Sequence, residues 1–192
     1  QDQAQVTRLC RLVDGLPLAI ELAASWTRVL SAGEIVAALE RERDLLLAQE
    51  DGDGAPVRYT SIRAAFDLSW RYLTAGERAL FVSLCQFERG CAYDAALSVG
   101  QSTGSMLLAL ADKSLIYQEP TGRLTIHELL RDFGRSKADQ DTFFAERREA
   151  RVRLAAYFDD FVGRNQTHPT AFDREWSNLQ TALTIWHDEQ AS

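Results

Sequence analysis

Apolar positions along the first fifty residues recur at helical rather than strand spacing. Val6, Leu9, Cys10 and Val13 share one face of a first helix, and Asp14-Gly15-Leu16-Pro17 then breaks it, with Gly15 suited to a C-terminal cap. Pro17 restarts the chain as a helix, because a first-turn proline loses an amide that would have no partner anyway. Leu18, Ile20, Leu22, Ala23, Ala24 and Trp26 make that second helix apolar on most sides, as expected of one central to its domain. Ser31-Ala-Gly-Glu34 is a capping box opening a third helix. It carries Ile35, Leu39 and Leu46 on one stripe, with Glu40, Arg41, Glu42 and Arg43 assigned to a solvated face.

Asp51-Gly-Asp-Gly-Ala-Pro56 has no apolar residue larger than alanine and marks a linker, which sets a first domain at residues 1–55. Short helices follow. Ile62, Ala65, Phe66 and Trp70 lie on one, and a second capping box, Thr74-Ala-Gly-Glu77, leads into Leu80, Phe81, Leu84 and Phe87. A third runs from Asp94 to Val99 and is closed by Gly100; a fourth covers Ser105 to Asp112. The period then changes from 3.6 to 2, and Leu115, Tyr117, Leu124 and Ile126 are expected on one face of a hairpin turning at Glu119-Pro-Thr-Gly122. A helix burying Leu129, Leu130 and Phe133 completes a second domain at residues 56–137, whose helices and two-stranded ribbon have the outline of a winged helix.

Two longer helices, Phe143 to Val162 and Phe172 to Trp186, fill residues 138–192. Val152, Ala155, Ala156, Phe158 and Phe161 form the expected apolar side of the first. Arg147, Arg148, Arg151 and Arg153, mixed with Glu146 and Glu149, read as i, i+4 surface pairs rather than a nucleic-acid patch. The fold class is therefore mainly α: a helical domain, a winged helix with a small β-hairpin, and helices placed to begin a tetratricopeptide-like (TPR-like) superhelix.

Charge narrows the function. The net charge is −7, and residues 1–58, 59–137 and 138–192 carry 6, 9 and 6 basic groups against 10, 8 and 10 acidic ones. No segment has the basic footprint that phosphate neutralisation requires, which argues against DNA binding by this segment. A recognition helix at Ser105 to Asp112 would offer no Arg, Asn or Gln to base edges, and Arg123 is the only basic residue of the wing. Cys10, Cys85 and Cys91 have neither C-x-x-C spacing nor histidines placed to complete a metal site, and are expected to be reduced core thiols. No apolar run approaches a bilayer span and no leader opens the chain, so no membrane contact and a cytoplasmic location are expected. The chain starts at Gln1 with a helix already under way and reads as an excerpt of something longer.

The candidate chemistry lies in Leu124 to Gly134, where a short strand runs into a helix with His127 at the junction. The first amides of a helix lack intrahelical partners and carry the positive end of its dipole, so a histidine beside them suits a phosphate. On local sequence His127 also suits the part of a plain helix cap, or of a partner for a strand-end carbonyl. The sequence has no G-x-x-x-x-G-K-[ST] loop, G-x-S-x-G elbow or H-E-x-x-H, and no catalytic residues are assigned.

Gly15-Leu16-Pro17-Leu18 resembles the G-L-P-L motif of the signal-transducing NTPases with numerous domains (STAND, with an NB-ARC-type core), a family of apoptosome scaffolds, plant immune receptors and bacterial transcriptional regulators. In order along the chain, Thr60 to Phe87 resembles the start of that family's winged helix, Leu110 to Ile116 its approach to the hairpin, and Ile126-His127-Glu128 its M-H-D motif. Glu175-Trp-Ser-Asn178-Leu179-Gln-Thr-Ala182-Leu183 resembles the E-x-x-N-L-x-x-A-L opening of the helical repeats in bacterial members. The resemblance implies a regulatory, autoinhibitory half of a signalling ATPase that reads the nucleotide state. Pro17 would lie against the adenine of ADP and His127 would contact its β-phosphate, with ADP or ATP held together with an upstream nucleotide-binding domain of the same chain. It further implies self-assembly on activation and a protein partner or ligand for downstream repeats. Ile126 and Glu128 replace the family's methionine and aspartate. Pro17 could also be only a helix start, and two other functions stand beside this one: a winged-helix DNA-binding transcription factor, and a helical interaction scaffold without nucleotide contact.

Overall fold

The computed structural model describes residues 2–49 and 57–190; the linker expected at Asp51 to Pro56 lies outside them. The architecture is mainly α with one small antiparallel hairpin. Contacts divide it into two compact units, residues 1–74 with 112–115, and residues 75–111 with 116–192.

The first unit contains α1 (Asp2–Leu12), α2 (Pro17–Ser25), a 3₁₀ turn at Trp26–Arg28, α3 (Ala32–Gln49) and α4 (Val57–Arg71). The edge expected between residues 55 and 56 falls between α3 and α4, which pack on each other; α3 also packs on α1 and α4 on α2. The capping box at the start of α3 is complete. The Ser31 amide and hydroxyl donate to Glu34 Oε2 at 2.8 and 2.7 Å, and the Glu34 amide returns to Ser31 Oγ at 3.3 Å. Those bonds hold the Glu34 carboxyl below its ordinary pKa. The core is built from Leu22, Ile35, Leu39, Phe66 and Leu68, all essentially inaccessible, each contributing about 1.5–3 kcal/mol of burial. The Trp26 indole N–H donates to Ser69 Oγ at 3.1 Å, which allows the ring to be buried. Glu42 is not on a solvated face as expected: it is buried and paired with Arg71 at 2.6 Å. Its place in the run of charges hid a contact that α4 supplies.

The second unit runs α5 (Ala75–Leu84), α6 (Tyr93–Gly100), α7 (Gly104–Asp112), β1 (Tyr117–Gln118), β2 (Leu124–Thr125), α8 (Glu128–Ala138), α9 (Asp141–Arg164) and α10 (Pro169–Gln190). Helices followed by a hairpin is the winged-helix order. A bridge adds Cys91 to the ribbon, its amide and carbonyl exchanging 2.9 Å bonds with Leu124. Gly90 precedes that bridge at φ +72, and a Cβ there would come within 2.4 Å of the Leu124 carbonyl oxygen. Helix α5 packs on α6, α8 and α9, and α9 also packs on α6, α8 and α10.

Three local expectations change. Tyr117 pairs with Thr125 and Gln118 with Leu124, so the apolar face of the hairpin carries Ile116, Leu124 and Ile126 rather than Leu115 and Tyr117. Ile116 and Ile126 are buried while Tyr117 is half exposed. With isoleucine next to leucine at 115–116, either parity satisfied the alternation. Helix α6 ends with Gln101, not Gly100, in the left-handed region at φ 44; the small residue at 100 instead admits Leu80, whose Cδ1 lies 2.4 Å from where a Cβ would stand. On α9 the buried residues are Ala150, Leu154, Ala155 and Phe158, while Val152 and Ala156 face outward.

Candidate functional site

Strand β2 ends at Thr125, Ile126 turns into the core, and His127 (φ −57, ψ 138) is the N-cap of α8. Its carbonyl accepts the Arg131 amide at 2.9 Å, which closes the first helical turn. Its ring accepts the Leu129 amide on Nδ1 at 3.3 Å. One of the orphan amides of the helix start is thereby satisfied by the side chain. Capping the helix and donating to a ligand are compatible roles for His127. An accepting Nδ1 leaves the proton of the neutral ring on Nε2, so the capping residue keeps one donor.

That ring borders an open cleft of about 710 Å³. The cleft is lined by Tyr117, Glu119 and Thr125 of the hairpin, by Ser177, Gln180, Thr181 and Thr184 of α10, and by Arg89 and Arg131. Arg131 also donates to the Glu88 carbonyl. Arg89 is exposed and has no ion pair among the described residues. The charged lining is mixed, with Glu88, Glu119 and Glu128 beside the two arginines.

Pro17 lies in the other unit, so the fold does not unite it with His127 inside one unit. It is exposed at the start of α2, behind Leu16 in extended conformation. Asp14 and Gly15 precede it, both with positive φ (54 and 65). Glycine adopts that region freely; Asp14 is held there with its carboxylate accepting a 2.6 Å bond from Ser61 Oγ on α4. The turn bearing Pro17 is thus pinned to a neighbouring helix.

The dominant polar feature of the second unit was not anticipated. Arg123 and Glu175 form a bidentate pair, with a 3.1 Å bond from Nη2 to Oε2 besides the contact of Nη1 with Oε1. Arg123 Nη2 and Asn178 Nδ2 both donate to the Gly90 carbonyl at 2.9 Å. Asn178 also donates to Glu175 at 2.8 Å and accepts the Glu88 amide at 2.9 Å. From the other direction Arg135 reaches the Cys85 carbonyl and Glu88 Oε1, each at 2.9 Å. The ion pair raises the Arg123 pKa, chiefly through the hydrogen bond to Glu175. Burial pushes the Cys91 thiol up to about 12, and pushes Cys85 up as well. A sequence signal for the network did exist. Glu175 and Asn178 share a helical face with Leu179, Ala182 and Ile185, and a polar pair on a buried stripe demands internal partners.

The arginines of α9 do not behave as simple i, i+4 surface pairs. Arg153 donates to the Val99 carbonyl at 2.7 Å and to Glu146 at 2.6 Å, Arg147 pairs with Asp139, and Arg151 reaches Asp188 at 3.4 Å. Arg153 with Glu149, at 3.4 Å, and Arg164 with Asp160, at 2.9 Å, are pairings of the expected kind. Among the described residues no group of His, Cys, Asp or Glu could hold a metal ion, and no helix is long and apolar enough to cross a membrane.

No family model matches the chain, and no solved structure matches it. The chain is 35% identical over 136 residues to "Putative HTH-type transcriptional regulator Rv0890c" of Mycobacterium tuberculosis and to the corresponding protein, Mb0914c, of Mycobacterium bovis. The match covers 66% of this chain and 15% of each relative, so the chain spans a small part of their length. It is 41% identical over 95 residues to "Uncharacterized protein Rv0894" of Mycobacterium tuberculosis, covering 50% of this chain and 24% of that one.

Proposed function

We propose that this chain is a regulatory segment of a longer transcriptional regulator, and that it acts by reading a nucleotide rather than by touching DNA. The regulatory role rests on the relatives named as helix-turn-helix regulators, which align with 66% of the chain. The nucleotide reading rests on one observation: His127 caps α8 through Nδ1 and thereby keeps a proton on Nε2, beside a cleft and at the positive end of a helix.

In this proposal ADP or ATP is held by an upstream nucleotide-binding domain of STAND type in the same chain. His127 would donate to a phosphate oxygen, and Pro17 would lie against the base. Both residues are exposed, as such contacts require. The segment itself is not the catalyst; its work is to favour one state of the larger protein according to the bound nucleotide. Such a regulator works in the cytoplasm, and self-assembly or a partner at further helical repeats would follow the change of state.

The relatives' names favour a second reading, DNA binding through the winged helix itself. Helix α7 offers Gly104 to Asp112 without a basic residue, and its most exposed apolar side chain is Leu108. A groove-reading helix needs donors and positive charge there. With 15% of the relative aligned, the helix-turn-helix of its name has ample room elsewhere.

Calorimetry with ADP separates the readings, using this chain and a form extended upstream by about 200 residues, a typical domain length. The proposal requires tight binding by the extended form alone, weakened by His127→Ala and by Pro17→Ala. Undiminished ADP binding in both variants overturns the sensor assignment. Salt-dependent binding of duplex DNA by this chain would favour the second reading.

A further inference from the structure

The cleft beside His127 has one wall made by α10 and another made by the hairpin and the start of α8, so its width is fixed by whatever ties those elements together. What ties them is the network around Gly90. Asn178 and Glu175, one turn apart on α10, grip the Gly90 carbonyl, the Glu88 amide and Arg123 of the hairpin. Arg123 immediately precedes β2, and β2 leads through Ile126 to His127. Arg131 and Arg135 hold the same 85–90 loop from α8. Glu175 is 7% exposed and Asn178 1%. Single hydrogen bonds at a surface would let α10 slide; a part-buried bidentate ion pair joined to a buried carboxamide has a sharper preference for one arrangement.

We infer that Arg123, Glu175 and Asn178 are a latch coupling the α9–α10 helix pair to the segment that carries His127, so that displacement of α10 and occupancy of the cleft influence one another. The two latch residues of α10, Glu175 and Asn178, lie on its buried face, whereas Ser177, Gln180, Thr181 and Thr184 lie on the face toward the cleft. Any force that moves α10 therefore opens the cleft wall and releases Arg123 together. Because coupling between two sites is reciprocal, a ligand that bridges the cleft must in turn restrain α10. The inference concerns the cleft wall and does not depend on which ligand enters it.

Backbone hydrogen exchange on the whole chain tests this, with the His127 ring signals in a two-dimensional NMR spectrum as a second readout. Asn178→Ala should raise exchange of the β1, β2 and first α8-turn amides about tenfold or more, leave α1–α4 unchanged, and shift the His127 ring resonances. Glu175→Gln, which keeps the shape and one acceptor while removing the charge, should act in the same places more weakly, and it serves if Asn178→Ala fails to fold. Faster exchange confined to α10, with His127 unmoved, would overturn the coupling. A uniform rise across residues 75–190 would overturn it too, since that is loss of general stability.

Discussion

Gly134 lies inside α8, where alanine is ordinarily the better residue by about 0.8–1.0 kcal/mol. Here the sign should reverse. A Cβ on residue 134 would stand 2.4 Å from Cys85 Sγ and 2.8 Å from Phe81 Cε1. Both neighbours are inaccessible to solvent, so neither can swing away, and relief requires α8 to back off α5 by an ångström or so. Overpacking of a well-filled core costs about 1–3 kcal/mol, and a contact this short with atoms this confined belongs at the upper end. Subtracting the propensity gain leaves Gly134→Ala destabilised by about 2 kcal/mol. In a unit of this size that lowers its melting temperature by roughly 5–15 °C. The displacement would also draw Arg131 and Arg135 away from the carbonyls of Glu88 and Cys85, loosening the seat of the helix that His127 caps. Thermal unfolding followed by circular dichroism measures it, with Gly163→Ala in α9 as the control. Nothing lies within 4 Å of a Cβ at 163, and the expected change there is a gain of up to about 1 kcal/mol. A Gly134→Ala protein as stable as the parent would refute the claim that this glycine sets the α5–α8 approach.

Further outcomes follow from single contacts. Ser31→Ala removes the hydroxyl that donates to the Glu34 carboxylate and accepts the Glu34 amide, while the backbone amide of residue 31 still donates to that carboxylate, so it should lower the melting temperature near neutrality. Because the folded pKa of Glu34 is depressed, that stabilisation is present above the unfolded carboxyl value of about 4.3 and is lost as pH falls through the folded value. The gap between the melting curves of the parent and Ser31→Ala should therefore narrow in acid, down to what the neutral bond from the Glu34 amide to Ser31 Oγ contributes; a gap of constant size would contradict the capping assignment. Ser69→Ala strands the buried Trp26 indole N–H and should cost about 1–3 kcal/mol, read from urea unfolding by tryptophan fluorescence. Under native conditions Ellman's reagent should titrate Cys10, which is partly exposed, while Cys85 and Cys91, buried and held as thiols, should react only after denaturation.

Much of the architecture was legible from residue pattern alone. Helical spacing, the Ser31 to Glu34 capping box and the glycine at 122 each report on structure within a few residues, and a chain enforces such local preferences almost regardless of context. The His127 junction was readable for the same reason, since a strand ending in Thr-Ile and a helix opening with Glu-Leu-Leu leave little choice about what lies between. Long-range pairings left no equivalent trace. The partner of Glu42 is Arg71, 29 positions on, and that of Arg123 is Glu175, 52 positions on. Leu115 and Ile116 are both buried, so apolar character alone did not reveal which of them shares the hairpin face; Ile116 does, meeting Leu124 and Ile126 around an apolar pocket that Leu84, Phe87 and Arg131 also border. A polar pair on the buried stripe of α10 was the one visible sign of the network.

Whether His127 senses a nucleotide phosphate is read most directly from release of ADP by the parent-length protein. The dissociation rate of a fluorescent ADP analogue would be followed in the parent protein and in His127→Ala, with His127→Gln, which retains a donor, alongside. Release from His127→Ala should be tenfold faster or more, a factor worth about 1.4 kcal/mol of lost phosphate contact, with partial recovery in His127→Gln. Equal release rates in all three would leave His127 as a helix cap and nothing more.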